Sequence, residues 1–259
     1  MNILFITYTD RLYLYATKIM LTSLIVNNPE FNYDFKILTY DHIQDSEKTE
    51  FFNIYKNIEF EIINTDTYES KLNQITNKRF NTTSYNALFR FEMFNYEQYD
   101  KLIYLDSDII INANIDYLIH DCIERECYAV KHEERNCFNA GVLIFNKKTT
   151  FNEYKTRCLN FINDKKKLLP GNQEVFNKCF NALYIDCKYN LTVAYKECDY
   201  LIDTDNVVIY HYPGDGKPWL DKKFSDWYAI KGSEKAKNIF INVWNYYESH
   251  YQNLKNKKL

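Results

Sequence analysis

The chain has 259 residues, long enough for one domain whose core needs no disulfide staples. Its 32 basic and 35 acidic side chains leave a net charge of −3, which excludes the strong basic field of a non-specific nucleic-acid binder, and 46% hydrophobic residues exclude a disordered chain. Glycine is scarce, five in all with the first at Gly141, so neither a G-x-G-x-x-G dinucleotide turn nor a Walker A loop follows an early strand.

In chain order, the apolar run Asn2–Thr9 predicts a first strand rather than a signal peptide, because it has no basic segment and no small-residue cleavage site. Apolar residues at helical spacing predict a helix over Leu12–Asn27. Phe35–Tyr40 follows as a second strand, Ser46–Asn57 as a helix with Ser46 at the N-cap, and Glu59–Asn64 as a third strand. Ser84–Tyr96 reads as helical and Lys101–Leu105 as a strongly apolar fourth strand. This alternation predicts a mostly parallel sheet with helices on both faces and ligands at the carboxyl ends of its strands. In the second half, strands are predicted at Tyr128–Lys131, Gly141–Phe145, Leu183–Asp186 and Val207–Tyr210, helices at Asn152–Lys165 and Glu174–Phe180, and a terminal helix over Ser233–Lys258. No run of 18 apolar residues predicts a membrane span. The seven cysteines form no C-x-x-C pair and read as free, mostly buried thiols in a reducing, cytoplasmic setting. Asn81-Thr82-Thr83 and Asn190-Leu191-Thr192 match the glycosylation sequon and are taken as chance. The terminal Lys255-Asn256-Lys257-Lys258-Leu259 carries fewer basic residues than a convincing lipid-binding patch, so peripheral membrane contact is the weaker alternative to a solvated helix end.

Four segments carry candidate chemistry. Asp106-Ser107-Asp108 ends the apolar fourth strand, at the ligand end of a parallel sheet. Its counterpart Asp203-Thr204-Asp205 precedes its apolar run and reads as a turn. Two aspartates are too few for a stand-alone site of a hard cation, but suffice when a nucleotide diphosphate adds oxygens. His211-Tyr-Pro-Gly214-Asp-Gly216-Lys217-Pro-Trp219 concentrates two glycines and two prolines behind a strand, offering an imidazole ligand and a lysine for phosphate. Phe138-Asn139-Ala140-Gly141 opens a strand where backbone approach is close. Pro170-Gly171-Asn172-Gln173 leads into a helix start with polar side chains and free N–H groups. Each alone is most often an ordinary turn.

In this order and spacing the segments resemble the family 8 glycosyltransferases, retaining enzymes that include glycogenin and bacterial lipopolysaccharide galactosyltransferases. The resemblance runs from Phe5-Ile-Thr-Tyr-Thr-Asp10 to Lys217-Pro-Trp219, most of the chain. It implies an α/β GT-A fold: a single Rossmann-like domain over residues 1–259 with a central mostly parallel sheet flanked by helices. A nucleotide-binding half would cover about 1–110, an acceptor and metal half about 111–225, and a C-terminal helix about 233–258. It implies transfer of a hexose from UDP-glucose or UDP-galactose to a hydroxyl of a saccharide, lipid-linked glycan or protein, with Mn2+ as cofactor and Mg2+ as substitute. A homodimer is compatible with it, and no nucleic acid is implied.

By the same resemblance, Asp106, Asp108 and His211 bind the metal. Tyr8, Thr9, Asp10 and Tyr13 hold the uridine, with Tyr13 stacked on uracil and Asp10 accepting its N3–H. Arg90 lies near the donor phosphate and sugar, Ser107 and Ala140 fall within donor-binding stretches, and Asn139 contacts the sugar. Gly214 and Lys217 clamp the diphosphate, and Asn172 and Gln173, with Arg90, are the catalytic positions. The family usually has Asp-Gln where this chain has Asn172-Gln173, which keeps the size but loses a charge beside the reacting carbon. The acidic sugar-binding position upstream of Asn139 falls on Glu133 or Glu134. The amides at 172 and 173 are poor nucleophiles, which favours same-face attack over double displacement.

The alternative expectation is a UDP-sugar-binding protein with weak or no transferase activity, motivated by Asn172. A sugar-1-phosphate nucleotidyltransferase is disfavoured by the lack of early glycines, and a glycosidase by the lack of a second carboxylate at the required separation. Self-glucosylation at Tyr195 is a subsidiary expectation, weakened by the 24 tyrosines that make a match there cheap.

Overall fold

All six residues of β1 (Ile3–Tyr8) are buried, with Ile3 and Phe5 turned to one core and Leu4 and Ile6 to the other. That is the period-2 pattern of a strand covered on both faces. A computed structural model describes residues 1–66, 68, 87–132, 136–164, 172–192, 206–214, 216–220 and 233–256. After β1 come α1 (Leu14–Asn27), β2 (Asp34–Thr39), α2 (Asp45–Ile54), β3 (Ile58–Ile62), a 3-10 helix (Ala87–Asn95) and β4 (Lys101–Leu105). Then follow β5 (Ile109–Ile111), α3 (Asp116–His120), β6 (Cys127–Lys131), β7 (Phe138–Asn146), α4 (Phe151–Asp164) and α5 (Asn172–Cys179). The chain continues with β8 (Leu183–Ile185), a 3-10 turn (Cys187–Tyr189), β9 (Leu191–Thr192), β10 (Ile209–His211) and α6 (Glu234–Asn256).

Among the described residues the main sheet runs β3-β2-β1-β4-β7-β6-β8. β1 pairs in parallel with β2 and with β4, and β2 with β3, whereas β7 runs antiparallel to both β4 and β6. The chain winds outward from β1 through β2 to β3, then returns to place β4 on the other side of β1. The crevice between the carboxyl ends of β1 and β4 is therefore a topological switch point, where α/β sheets bind ligands. Because β7 is antiparallel to β4, its opening residues Asn139 and Gly141 lie at the same end, and Asp106 N–H donates to Gly141 O at 2.8 Å.

A second sheet, β5-β10-β9, was not expected from the sequence. β10 pairs antiparallel with β5, with His211 opposite Ile109, and parallel with β9, with His211 opposite Thr192. The N–H of Tyr212 donates to Asp108 O at 2.9 Å. This pairing brings His211 beside Asp108 across a hundred residues of sequence. The sheet is covered by α6, whose Phe240 and Trp244 join Tyr210, Tyr212 and Ile110 in one cluster.

Two predicted elements differ. The helix expected to start on Ser46 starts at Asp45 with Gln44 at its N-cap, because Glu47 reaches back to accept the Gln44 N–H at 2.8 Å. The helix predicted over Ser84–Tyr96 is, in its described part, a 3-10 helix over Ala87–Asn95. There Leu88, Phe89, Phe91 and Phe94 are all buried, and packing on several sides overrides the local preference for an α-helix. None of the six described cysteines is in a disulfide; Cys122, Cys127 and Cys158 are buried, Cys137, Cys179 and Cys187 partly so, and Cys198 lies outside the described residues. Asn190 is buried, which bars glycosylation there, and Asn81 lies outside the described residues. Among the described residues no helix is long and apolar enough to cross a membrane.

Candidate active site

The apolar sequence of β4 buries all five of its residues, so the first polar side chain after it emerges at the switch point. That residue is Asp106. Tyr104, two positions earlier and hence on the same face, donates its hydroxyl to Asp106 Oδ1 at 2.8 Å. The Arg90 guanidinium also reaches Asp106 Oδ1, at 3.1 Å, and lies over the Tyr104 ring at 4.8 Å. Its other terminal nitrogen donates to Ala140 O at 3.3 Å. Asp106 Oδ2, the oxygen left over, faces His211 Nε2 at 3.7 Å.

Asp108 divides its oxygens in the same way. Oδ2 holds the Lys217 ammonium in a buried ion pair, and Oδ1 faces His211 Nε2 at 3.4 Å. Burial alone would push the Asp108 carboxyl up; the Lys217 ammonium and the His211 imidazole outweigh it and hold the group well below the usual carboxylate range. His211 is anchored from behind as well, with its Nδ1 2.8 Å from Asn190 Oδ1. Asp106, Asp108 and His211 thus present three ligand atoms within 4.8 Å of one another, each with its other side engaged by the protein. No other cluster of this kind occurs among the described residues.

Glycine is required at two places around this triad. At Gly141 a Cβ would lie 2.3 Å from His211 Cε1, so the imidazole rests directly on the glycine backbone. Gly214 has φ 91°, a left-handed conformation that side chains disfavour. It turns the chain so that Lys217 folds back, donates to Tyr212 O and reaches Asp108.

A cleft continues from the triad over the ends of β1 and β4, lined by Tyr8, Thr9, Asp10, Tyr13, Arg90 and Ser107 among others. Asp10 Oδ1 accepts the N–H groups of Leu12 and Tyr13 at 3.0 and 3.1 Å, which shapes the turn into α1. Burial pushes the Asp10 carboxyl up, against those two bonds. The Ser107 hydroxyl donates to Tyr8 O and ties the two strand ends together. The Tyr13 ring meets Trp219 edge-on at 5.6 Å, and the Lys217 ammonium lies 5.2 Å from the Tyr13 ring. Among the described residues, Tyr8 Oη and Arg90 Nε are buried with no hydrogen-bond partner, as polar atoms bordering a ligand site would be.

The predicted residues gather on this cleft: Asn139, Ala140, Gln173, Gly214 and Lys217 line its triad end with Asp106, Asp108 and His211. Gln173 Oε1 accepts the Ala140 N–H at 3.3 Å, and Asn139 Oδ1 accepts the Gly141 N–H at 2.8 Å. Asn172 opens α5, but its side chain lies outside the described set, as do Glu133, Glu134, Gly171, Tyr195 and Asp203-Thr204-Asp205. Three contributors had no sequence signal: Tyr104, Asn190 and Asn177. Asn177 docks α5 onto β7 by accepting the Phe138 N–H at 2.6 Å and donating to Phe138 O at 2.8 Å.

Residues 4–223 match the model of a family described as glycosyl transferase family 8. The lipopolysaccharide glucosyltransferase WaaO of Escherichia coli K12 is 26% identical over 265 residues, covering 89% of this chain and 76% of that one. The glycosyltransferase GlyD of Streptococcus pneumoniae serotype 4 is 30% identical over 149 residues, 50% of this chain and 18% of that protein. The chain spans less than half the length of the first curated relatives it matches. Among solved structures, the galactosyltransferase LgtC in complex with donor and acceptor sugar analogs shares the fold with a TM-score of 0.63 at 17% identity, covering 91% of this chain and 99% of that one.

Proposed function

The chain belongs to glycosyl transferase family 8, and from that premise we propose that it moves glucose or galactose from a UDP-sugar to a hydroxyl acceptor, with retention and with a divalent cation, Mn2+ or in its place Mg2+. One observation carries the proposal: Asp106 Oδ2, Asp108 Oδ1 and His211 Nε2 turn toward one space while the atom behind each is already engaged. Two carboxylate oxygens and one imidazole nitrogen suit a cation of the Mn2+ type, with diphosphate oxygens completing its shell. Such a cation, when bound, supplies Lewis-acid neutralisation of the departing diphosphate.

The remaining roles belong to the chain itself. Tyr8, Thr9, Asp10 and Tyr13 form the wall proposed to hold the uridine, with the Tyr13 ring as its stacking surface. Lys217 adds a fixed positive charge beside the diphosphate, preorganised by its pairing with Asp108. Arg90, Asn139 and Gln173 border the space proposed for the sugar, and Asn172 precedes Gln173 at the start of α5. Among the described residues lining the cleft the carboxylates are Asp10, Asp106 and Asp108. Asp10 shapes a turn and the other two belong to the triad, while Gln173 is an amide and a poor nucleophile. This supports same-face attack, with the departing phosphate taking the acceptor's proton. The similarity to a lipopolysaccharide glucosyltransferase supports a glycan hydroxyl as the acceptor, free or lipid-linked, ahead of a protein.

A screen of UDP release across UDP-sugars, with and without Mn2+, tests the reading. UDP-glucose or UDP-galactose should turn over only with the metal, and Asp108→Asn should lower the rate by about 100-fold or more while leaving the far-ultraviolet circular dichroism unchanged. Turnover indifferent to Mn2+ and to Asp108→Asn contradicts it. Calorimetric binding of a UDP-sugar without turnover to water or any acceptor assigns a binding protein instead.

A further inference from the structure

We propose that Asn190 is a positioning residue that holds His211 in its Nδ1–H tautomer, so that Nε2 offers a lone pair to the space shared with Asp106 and Asp108. This role rests on the metal reading above, whereas the tautomer itself follows from a backbone group whose polarity is fixed. The N–H of Gly141 points at the Asn139 side chain at 2.8 Å, and a backbone N–H only donates. The Asn139 atom that meets it is therefore the oxygen. The same oxygen lies 2.8 Å from the Asn190 side chain, which must present its NH2. The other end of the Asn190 amide, the oxygen, then faces His211 Nδ1 at 2.8 Å. An oxygen only accepts, so the proton of the neutral ring sits on Nδ1 and Nε2 is bare.

The alternative assignment fails at each link. Turning the Asn190 amide over would set two carbonyl oxygens 2.8 Å apart with no hydrogen between them, and turning Asn139 as well would aim its NH2 at the Gly141 N–H. The arrangement is rigid. Asn190 is 0% exposed, and its own N–H donates to Cys187 O at 3.0 Å in the turn that precedes β9. β9 in turn pairs with β10, so Asn190 and His211 are fixed relative to each other by main-chain bonds.

The tautomer needs holding because of what lies on the other side. Two carboxylate oxygens face Nε2 at 3.4 and 3.7 Å and would draw the ring proton to that nitrogen, where it would block ligation. Asn190 opposes them. An acceptor behind the distal nitrogen is the usual means by which a protein fixes a ligating histidine, and its loss typically costs 10- to 100-fold in metal affinity.

The test uses the full chain stripped of metal with EDTA and labelled with 15N-histidine, observed by long-range 1H–15N correlation at about pH 9, above the ordinary imidazole range. The wild type should show the proton of His211 on Nδ1. Asn190→Leu, of similar volume but without the acceptor, should move it to Nε2 and weaken Mn2+ binding, read by electron paramagnetic resonance with UDP present, by 10- to 100-fold. A proton on Nε2 in the wild type overturns the proposal without recourse to any variant, as does an Nδ1–H form that survives in Asn190→Leu. An Nδ1–H wild type that binds no Mn2+ upholds the tautomer and counts against the metal reading alone.

Discussion

Gly141 shows how a single missing side chain can decide a site. His211 can swing its Nε2 toward both aspartates only because its ring lies against bare backbone, and a Cβ there would meet the ring at 2.3 and 2.6 Å and Asn139 Oδ1 at 3.1 Å. Gly141→Ala should therefore displace the imidazole. The expected outcome is at least a tenfold loss of Mn2+ affinity by titration calorimetry and a destabilisation of about 1–3 kcal/mol by chemical unfolding. Unchanged metal affinity would mean that the ring does not need this seat. At this scale the sequence was informative where residue type and local context coincide. Asp106 and Asp108 follow an apolar run, and His211 precedes a glycine and proline cluster, so all three stood out as candidates, and the family resemblance gave them a shared role. The residues behind them were not. Tyr104 reads as one more apolar strand residue, and Asn190 as the head of a chance sequon, because their work is done by partners far away in sequence.

Elements were legible in proportion to their length and burial. β1, β4 and β7 are wholly buried runs, and the sequence placed the first two to within a residue or so and the core of the third. β5 and β9, of three and two residues, are too short for any periodicity to register, and they build the sheet that carries His211 to Asp108. That sheet is in turn held by α6, which a polar staple ties to the rest. Glu50 on α2 accepts from Lys18 of α1 and Tyr251 of α6, both at 2.6 Å, and pairs with Lys255 at 3.2 Å. Burial pushes the Glu50 carboxyl up, but these three partners outweigh it and bring it down from 4.5 to about 2. A carboxyl depressed on folding adds stability that is complete above its unfolded value and is lost as pH falls through its folded value. Glu50→Gln should therefore cost roughly 2 kcal/mol at neutral pH, less than the full shift allows because the group keeps some solvent contact. The gap between wild type and variant should close as pH falls from 4.5 toward 2. A gap that stays constant over that range would show that the staple is not electrostatic.

On the scale of the whole molecule, two sheets divide the labour. The larger one presents the ends of β1 and β4 at its switch point, and supplies both aspartates and the cleft wall of Tyr8, Thr9, Asp10 and Tyr13. The smaller one, covered by α6, supplies the histidine and the lysine loop, whose Trp219 stacks on Trp244 of α6 at 4.8 Å. The alternation of strands and helices made the larger sheet readable from the sequence. The closing of the smaller sheet over it depends on pairings between residues about a hundred positions apart, which only the folded chain reveals. If one cation sits where the two sheets meet, anomalous diffraction at the manganese edge, from crystals grown with MnCl2 and UDP, should show a single peak within direct ligand distance of Asp106, Asp108 and His211 Nε2. A peak elsewhere, or one held by the carboxylates with the imidazole turned away, would rule that site out.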